Sequence, residues 1–500
     1  MMSPPEHLSP MPHCEVTTLM LRRLSPILGV LALLGAVVQP AAATSIGAVV
    51  NASNDDFTSN EITIALNPTN PLNIVSGWND YNRNEGCGTA RSLDGGQTWS
   101  AHSFIPGITP WDNDGNTYPG NGIYDFAGDP AVTFAPDGTA FFACYGYKYA
   151  NASAPKGGVA LFVSKSTDGG LTWGAPTKLA TFTHPGMGKG VNKGSNGQFP
   201  DHDAIAADAW IGSPYYGSIY VAQAQFHGIN KAPITLFATH DGVHWAPPVT
   251  VSSGSQYANQ DAIPFVGPDG SVYVSFDSIQ GPNGAAQVRV AKSTDGGASF
   301  GPSYTVAEMI DPVNSDLINS DYREGSYPAP GIDAAGRITI AWNDRRSGHS
   351  NMWYVRGLGS DLSTWTDPVQ LKPSDGEQFF PWVHAAPGGR VDIVYYDRTR
   401  DPNNVLNYVT YSRLDPTDTG LGVTASSYGD WSPAFNGNLN GGQTTTSCTP
   451  FIGDYIGVAS DDAHVYLGWT GNGPSVFHDE FGNPTDCDVN QDALTVAITP

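Results

Sequence analysis

Ser92-Leu93-Asp94-Gly95-Gly96-Gln97-Thr98-Trp99 is a phrase that the chain repeats, as Ser166-Thr167-Asp168-Gly169-Gly170-Leu171-Thr172-Trp173 and as Ser293-Thr294-Asp295-Gly296-Gly297-Ala298-Ser299-Phe300. Two degraded copies share the scheme: Thr239-His240-Asp241-Gly242-Val243-His244-Trp245, one residue short, and Ser360-Asp361-Leu362-Ser363-Thr364-Trp365, without its glycines. Each position has a task in a tight turn. Ser and Asp oxygens satisfy the turn's amides, Gly supplies positive φ, and the closing aromatic packs between strands. A hairpin turn that recurs along a chain signals a repeat architecture.

A longer unit surrounds each copy: an inner strand, a turn often written Pro-Asp-Gly, a second strand ending in an aromatic, a variable loop, a third strand and the phrase. Inner strands are expected to begin near Glu61, Asp129, Asp203, Asp261, Ser326, Phe380 and Asp454. Second strands are expected over 73–78, 140–145, 218–224, 271–276, 338–342, 391–396 and 464–469. The last unit ends with Ala493 to Ile498 and lacks an outer strand, which Ile46 to Asn51 is placed to supply, closing the ring and removing open sheet edges. The expected fold is all-β, a single β-propeller of four-stranded antiparallel blades, with seven blades favoured over six. The 58 Gly and 39 Pro, with few amphipathic helical stretches, agree with a chain made of turns and short strands.

The pattern S-x-D-x-G-x-T-W resembles the Asp-box, or bacterial neuraminidase repeat, of the sialidase superfamily. The resemblance implies a propeller whose boxes lie on the face opposite the active site, so the box residues are architectural. The site is then expected on the upper face, in the loops after second strands and in the links between blades. Six blades are usual in classical sialidases, so seven is a departure.

Arg22 and Arg23, the apolar run Ile27 to Val38 and Ala41-Ala42-Ala43 form the n-region, h-region and small-residue cleavage pattern of a secretory signal. Residues 1–43 are expected to be an N-terminal extension and signal, with Met20 an alternative start, and residues 44–500 the propeller. The apolar run is too short for a membrane span, and no second candidate follows. Removing the signal leaves Cys87, Cys144, Cys448 and Cys487, an even number suited to an oxidising compartment. Three pairings are open, of which Cys87 with Cys144 and Cys448 with Cys487 are favoured. With 47 acidic and 23 basic residues the net charge is −24, which repels nucleic acid and anionic membranes. The expected partner is an extracellular glycan or glycoconjugate, bound by a monomer.

Upper-face positions gather Trp78-Asn79-Asp80 with Arg83, Asp129, His202-Asp203, Asp261, Asp277, Arg323-Glu324, Asn343-Asp344-Arg345-Arg346, Tyr395-Tyr396-Asp397-Arg398 and Asp454-Tyr455. Arginine grips a carboxylate with two parallel hydrogen bonds. Arg323, Arg345 and Arg398, with Arg83, Asp80 and Asp203, are therefore the candidates for holding an acidic sugar. A competing reading makes Asp344/Arg345 and Asp397/Arg398 ion pairs that tie blades together.

A glycosidase needs a general acid and a nucleophile or base, and sialidases use a Tyr activated by Glu as nucleophile. By that resemblance the acid lies among Asp112, Asp114, Asp125 and Asp129, and Glu324 activates Tyr395, Tyr396 or Tyr455. One element departs from the family. Where classical sialidases carry a first-blade Arg-Ile-Pro, this chain reads Glu61-Ile62-Thr63-Ile64-Ala65-Leu66-Asn67-Pro68, without arginine.

Asp112-Asn113-Asp114 and Asp486-Cys487-Asp488 alternate oxygen donors in a way that suits calcium, although such runs also form plain turns. No other cofactor is expected. Trp78, Trp111, Trp342, Trp382 and Trp469 either stack on sugars or fill the space between blades, with one or two expected at the upper mouth. Gly-rich phosphate loops, a G-x-S-x-G elbow and an H-E-x-x-H zinc motif are absent from the sequence. The expected function is a secreted, sialidase-like exo-glycosidase acting on terminal acidic sugars of extracellular glycans. The alternatives are a non-catalytic glycan- or protein-binding propeller, and a polysaccharide lyase in which Arg neutralises a uronate while Tyr or His202 removes the α proton.

Overall fold

The computed structural model describes residues 44–54, 58–81, 86–110, 122–148, 157–182, 198–227, 232–252, 259–278, 286–439, 450–472 and 490–500. The expected extension and signal lie outside them. Seven antiparallel sheets follow one another along the chain. Their inner strands are Ser59–Leu66, Phe126–Phe134, Gln198–Ala207, Asn259–Val266, Ala329–Ile332, Gln378–Ala385 and Gly457–Ser460. The second strands are Ile74–Asp80, Ala140–Lys148, Ile219–His227, Val272–Ser278, Arg337–Asp344, Val391–Asp397 and Val465–Asn472. These match the units read from the sequence, and each inner strand packs against its neighbour around a closed ring.

The ring is closed as expected. In the seventh blade the C-terminal strand Gln491–Thr499 pairs with Ser45–Ile46 and with Val50–Asn51, so the first described residues complete the last sheet. The disulfide Cys87–Cys144 joins the third strand of the first blade to the second strand of the second. Cys448 and Cys487 lie outside the described residues.

The repeated phrases are hairpin turns between third and fourth strands. In the first, Gly96 N donates to Ser92 Oγ at 2.9 Å, and Thr98 donates to Asp94 through its N at 2.9 Å and its Oγ1 at 2.6 Å. The bonds recur at Ser166/Asp168/Thr172 and Ser293/Asp295/Ser299. Two consecutive glycines, Gly95 and Gly96, take φ of 73° and 79°, which a side chain would resist. Trp99 then reaches across to donate to Thr495 Oγ1 at 3.1 Å, and Trp173 packs edge-on against Phe142. The core lies between blades, where Trp78, Trp342 and Trp469, ending second strands, are wholly buried.

One irregularity repeats at the opposite end of the blades. Five inner strands slip register against their second strands, between Asn60/Thr63, Gly128/Ala131, Asp201/Ala204, Gln260/Ile263 and Phe379/Trp382. The first residue inside each slip is left-handed: Glu61, Asp129, His202, Asp261 and Phe380 have φ of 57°, 55°, 50°, 51° and 52°. Outside glycine this conformation costs about 1–3 kcal/mol per residue, and a bulge re-aims the side chain it carries.

Candidate active site

The bulges bring those side chains together around the axis, at the end of the blades away from the repeated turns. Asn79 Nδ2 donates to Glu61 Oε2 at 2.7 Å, while Asn79 Oδ1 accepts from Asp129 N at 2.9 Å. Asp129 Oδ2 in turn accepts from His202 N and Tyr147 OH, each at 3.4 Å. His202 Nδ1 lies 2.8 Å from Asp261 Oδ1, and Gln260 Nε2 donates to Asp201 Oδ2 at 3.0 Å. Beyond His202 the wall is aromatic. Tyr455 meets the imidazole edge-on with ring centres 5.0 Å apart, Tyr327 stacks on Phe380 at 5.5 Å, and Trp382 lies 6.0 Å from Tyr455. Arg323 completes the belt by gripping both oxygens of Asp454.

Burial raises the proton affinity of these carboxyls, each to a degree set by its neighbours. Glu61 is raised well above the usual range by burial, then by Asp129 and Asp454. Burial raises Asp203 in the same way, with Asp129 adding to it. Asp201 is pushed up to about 7 by burial and by the neighbouring Asp129. Burial also raises Asp129, but His202, through its positive charge and its backbone N–H, works against the shift. His202 itself is pushed up to about 10: burial disfavours the imidazolium, but Asp261, Asp201 and Asp129 together favour it more.

The three candidate arginines do not converge on one pocket. Arg345 donates to Asp316 at 2.7 and 3.2 Å. Arg398, wholly buried, donates to Ile318 O at 2.8 Å, Ser320 Oγ at 2.6 Å, Asn407 Oδ1 at 2.8 Å and the Tyr322 hydroxyl. Both therefore clamp the segment 311–327 that leads into the fifth blade and presents Arg323, whose side chain is 47% exposed. Both aspartates of the alternative ion pairs take other partners. Asp344 pairs with Arg346, not Arg345, as Arg346 lies over the rings of Trp342 and Trp353, and Asp397 pairs with Lys372, not Arg398.

Tyr395 and Tyr396 are wholly buried within the sixth blade and its contact with the seventh, their hydroxyls bonded to Ser412 Oγ and Thr470 O. Tyr455 reaches the site, but its hydroxyl donates to Pro130 O at 2.9 Å. Glu324 is buried beneath the segment 311–327, where burial lifts it to about 7 against the pull of Ser320 and Arg398. Asp80 is buried and accepts from Trp78 Nε1 at 3.1 Å, Asp203 is buried beside His202, and Asp125 pairs with Lys148. Of the tryptophans considered for stacking, Trp382 stands at the mouth, and Trp78, Trp342 and Trp469 fill the core. Arg83, Trp111, Asp112, Asp114, Asp486 and Asp488 lie outside the described residues. Among the described residues no group of three His, Cys, Asp or Glu side chains is arranged to hold a metal ion, and no helix is long and apolar enough to cross a membrane.

Two members of the belt escaped the sequence reading, Asp201 and Tyr327. The signal for the first was the run Asp201-His202-Asp203 inside an inner strand, since three polar residues in succession cannot all avoid the core without a bulge. A separate pocket of about 330 Å³ opens on the opposite face, between the turns of the fourth and fifth blades, lined by Lys292, Ser299, Tyr304 and Asp361 among others. It holds none of the strained or proton-retaining groups found at the axis.

No family model matches the chain. The sialidase of Micromonospora viridifaciens is 25% identical over 336 residues, which are 64% of this chain and 46% of that protein. The chain thus spans a little under half the length of the curated relative it matches. Among solved structures, a protein of unknown function from Dyadobacter fermentans is 17% identical with a TM-score of 0.48, covering 74% of this chain and 99% of that one. The leech intramolecular trans-sialidase is 12% identical with a TM-score of 0.46, covering 77% of this chain and 70% of that one. The chain is a sialidase-like β-propeller with seven blades.

Proposed function

We propose that this chain is an exported glycoside hydrolase that works at the axial mouth, with Asp201 as general acid and Asp129 as base or nucleophile. The observation that supports it most is the fivefold bulge, which holds Glu61, Asp129, His202, Asp261 and Phe380 in the same strained conformation. Backbone strain repeated in five blades and concentrated at one end is a mark of a functional surface. Two neighbouring carboxyls whose surroundings separate their proton affinities divide acid from base. Asp201, pushed up to about 7, keeps a proton for the leaving oxygen. Asp129, facing the His202 imidazolium and accepting its backbone N–H, is the better anion of the two. Trp382, Tyr455 and the Tyr327/Phe380 pair supply faces on which a sugar ring can stack.

The arginine grip on an acidic sugar has less support, since Arg345 and Arg398 are committed to the segment 311–327. A lyase needs a neutral base, and His202 with its proton affinity raised to about 10 is charged at neutral pH. The test is to incubate the protein with sialylated, uronate-containing, neutral and amino-sugar glycans while following both reducing ends and ultraviolet absorbance. New reducing ends that vanish in Asp201→Asn and Asp129→Asn support the reading; growing absorbance, or no turnover on any glycan, rejects it.

A further inference from the structure

The charge balance of the axial mouth is one-sided. Among the described residues there, Glu61, Asp129, Asp201, Asp203, Asp261 and Asp454 face two cations, His202 and Arg323. Both cations already have a carboxylate partner: His202 has Asp261 at 2.8 Å, and Arg323 has both oxygens of Asp454. The remaining carboxyls have acceptor oxygens to spare. Asp203 is 2% exposed and lies beside Asp129 and His202, and among the described residues neither of its oxygens accepts a hydrogen bond from another residue. A buried acceptor left without a donor costs about 1–3 kcal/mol, more when charged, so such a group marks a place that a ligand's donor fills.

From this imbalance we infer that the axial site takes a sugar bearing a protonated amine, with the ammonium group seated among the carboxyls of the second, third and seventh blades. The inference rests on the hydrolase reading above and names the substrate class of that site. An ammonium group brings three N–H donors and one positive charge, and that charge favours the ionised, acceptor-only form of the carboxyls around it. It also gains from aromatic faces nearby, here Tyr327, Phe380 and Trp382. An acidic sugar would meet the opposite conditions. Its carboxylate would compete with Asp454 for Arg323 and sit among like charges.

The experiment is calorimetric titration of the whole protein at pH 7 and low salt with glucosamine, N-acetylglucosamine and glucuronate. Glucosamine is expected to bind at least about tenfold more tightly than its N-acetyl form, and added salt should erase most of the difference. Asp203→Asn and Asp454→Asn should each weaken glucosamine several-fold more than N-acetylglucosamine. The comparison of three sugars on unaltered protein stands even if a variant fails to fold. Equal affinity for the amine and its N-acetyl form, or a preference for glucuronate that Arg323→Ala abolishes, overturns the inference. Amine-selective binding without turnover of any glycan would leave it standing and reject the hydrolase reading. Turnover of neutral glycosides without amine selectivity would do the reverse.

Discussion

Arg323 donates through Nε and Nη2 to the two carboxylate oxygens of Asp454, tying the link into the fifth blade to the seventh blade across the axial mouth. The sixth blade lies between them in the ring, so the pair bridges over it. Arg323 also lies over the ring of Phe451 at 4.8 Å. Its position is set from beneath by Arg345 and Arg398, which hold the segment on which it sits.

Arg398→Ala should unfold the protein more easily than Arg323→Ala. Losing the buried guanidinium leaves Ile318 O, Asn404 O and Asn407 Oδ1 short of a donor, at about 1–3 kcal/mol per unsatisfied group. The half-exposed Arg323–Asp454 pair is worth about 1 kcal/mol or less. Urea midpoints of the two variants measure the difference; equal midpoints would show that Arg398 does not hold the segment.

The pH dependence of turnover follows from Asp201. Its proton affinity is raised to about 7, so the acid form is lost, and the rate should fall, as pH rises through that value. Because Asp129 contributes to the shift, Asp129→Asn should lower the pH at which the Asp201 carboxyl titrates, followed by carbon NMR of that carboxyl. A rate that keeps rising past pH 8 would exclude Asp201 as the acid.

Stability has its own limits in acid and base. The Thr98 hydrogen bonds hold the Asp94 carboxyl down at about 2, below its ordinary value of 3.8. Its contribution is therefore present above about pH 4 and is lost as pH falls through 2. His202 runs the other way: raised from 6.5 to about 10, it stabilises the fold fully below pH 6.5, and that stability is lost as pH rises through 10. Asp94→Asn should flatten the acid limb of a thermal-melt profile and His202→Gln the alkaline limb. Unchanged limbs would contradict both assignments.

The Cys87–Cys144 bridge closes 57 residues of chain between two blades. Cys87→Ser with Cys144→Ser should lower stability by about 2–4 kcal/mol. Denaturant unfolding of the double variant against the oxidised protein checks this, and coincident curves would refute it.

Much of the fold was legible because propeller geometry is written in local chemistry. The Ser, Asp and Gly of each turn act within a few residues, so the phrase around Asp94 announces its own hairpin. Seven second strands, six of them ending in an aromatic, could be counted the same way, and the closure of the last blade by the segment after residue 45 followed from a missing edge. For the candidate site, the face on which its carboxyls gather was legible, but their partners were not. Glu61, Asp129, Asp261 and Asp454 were picked out as strand starts, and they are neighbours at the axis. Which residue of Asp201-His202-Asp203 takes the strained position depends on a bulge, and a one-residue slip reverses every side chain around it. The placement of Arg345 and Arg398 was illegible for a related reason. Whether Arg398 points to the mouth or under the segment 311–327 is decided by where Ser320 and Tyr322 fold back, contacts separated by more than 70 residues of chain.

The most direct test of the central claim is the dependence of kcat/KM on the leaving group in Asp201→Asn, comparing dinitrophenyl glycosides with the corresponding alkyl glycosides of the sugar the protein turns over. A dinitrophenolate departs without a proton, and an alkoxide does not. The account requires the variant to lose about 100-fold or more on the alkyl glycoside while retaining most of its activity on the dinitrophenyl one. Equal losses on both, or losses that follow Arg323→Ala on sialosides instead, would contradict it.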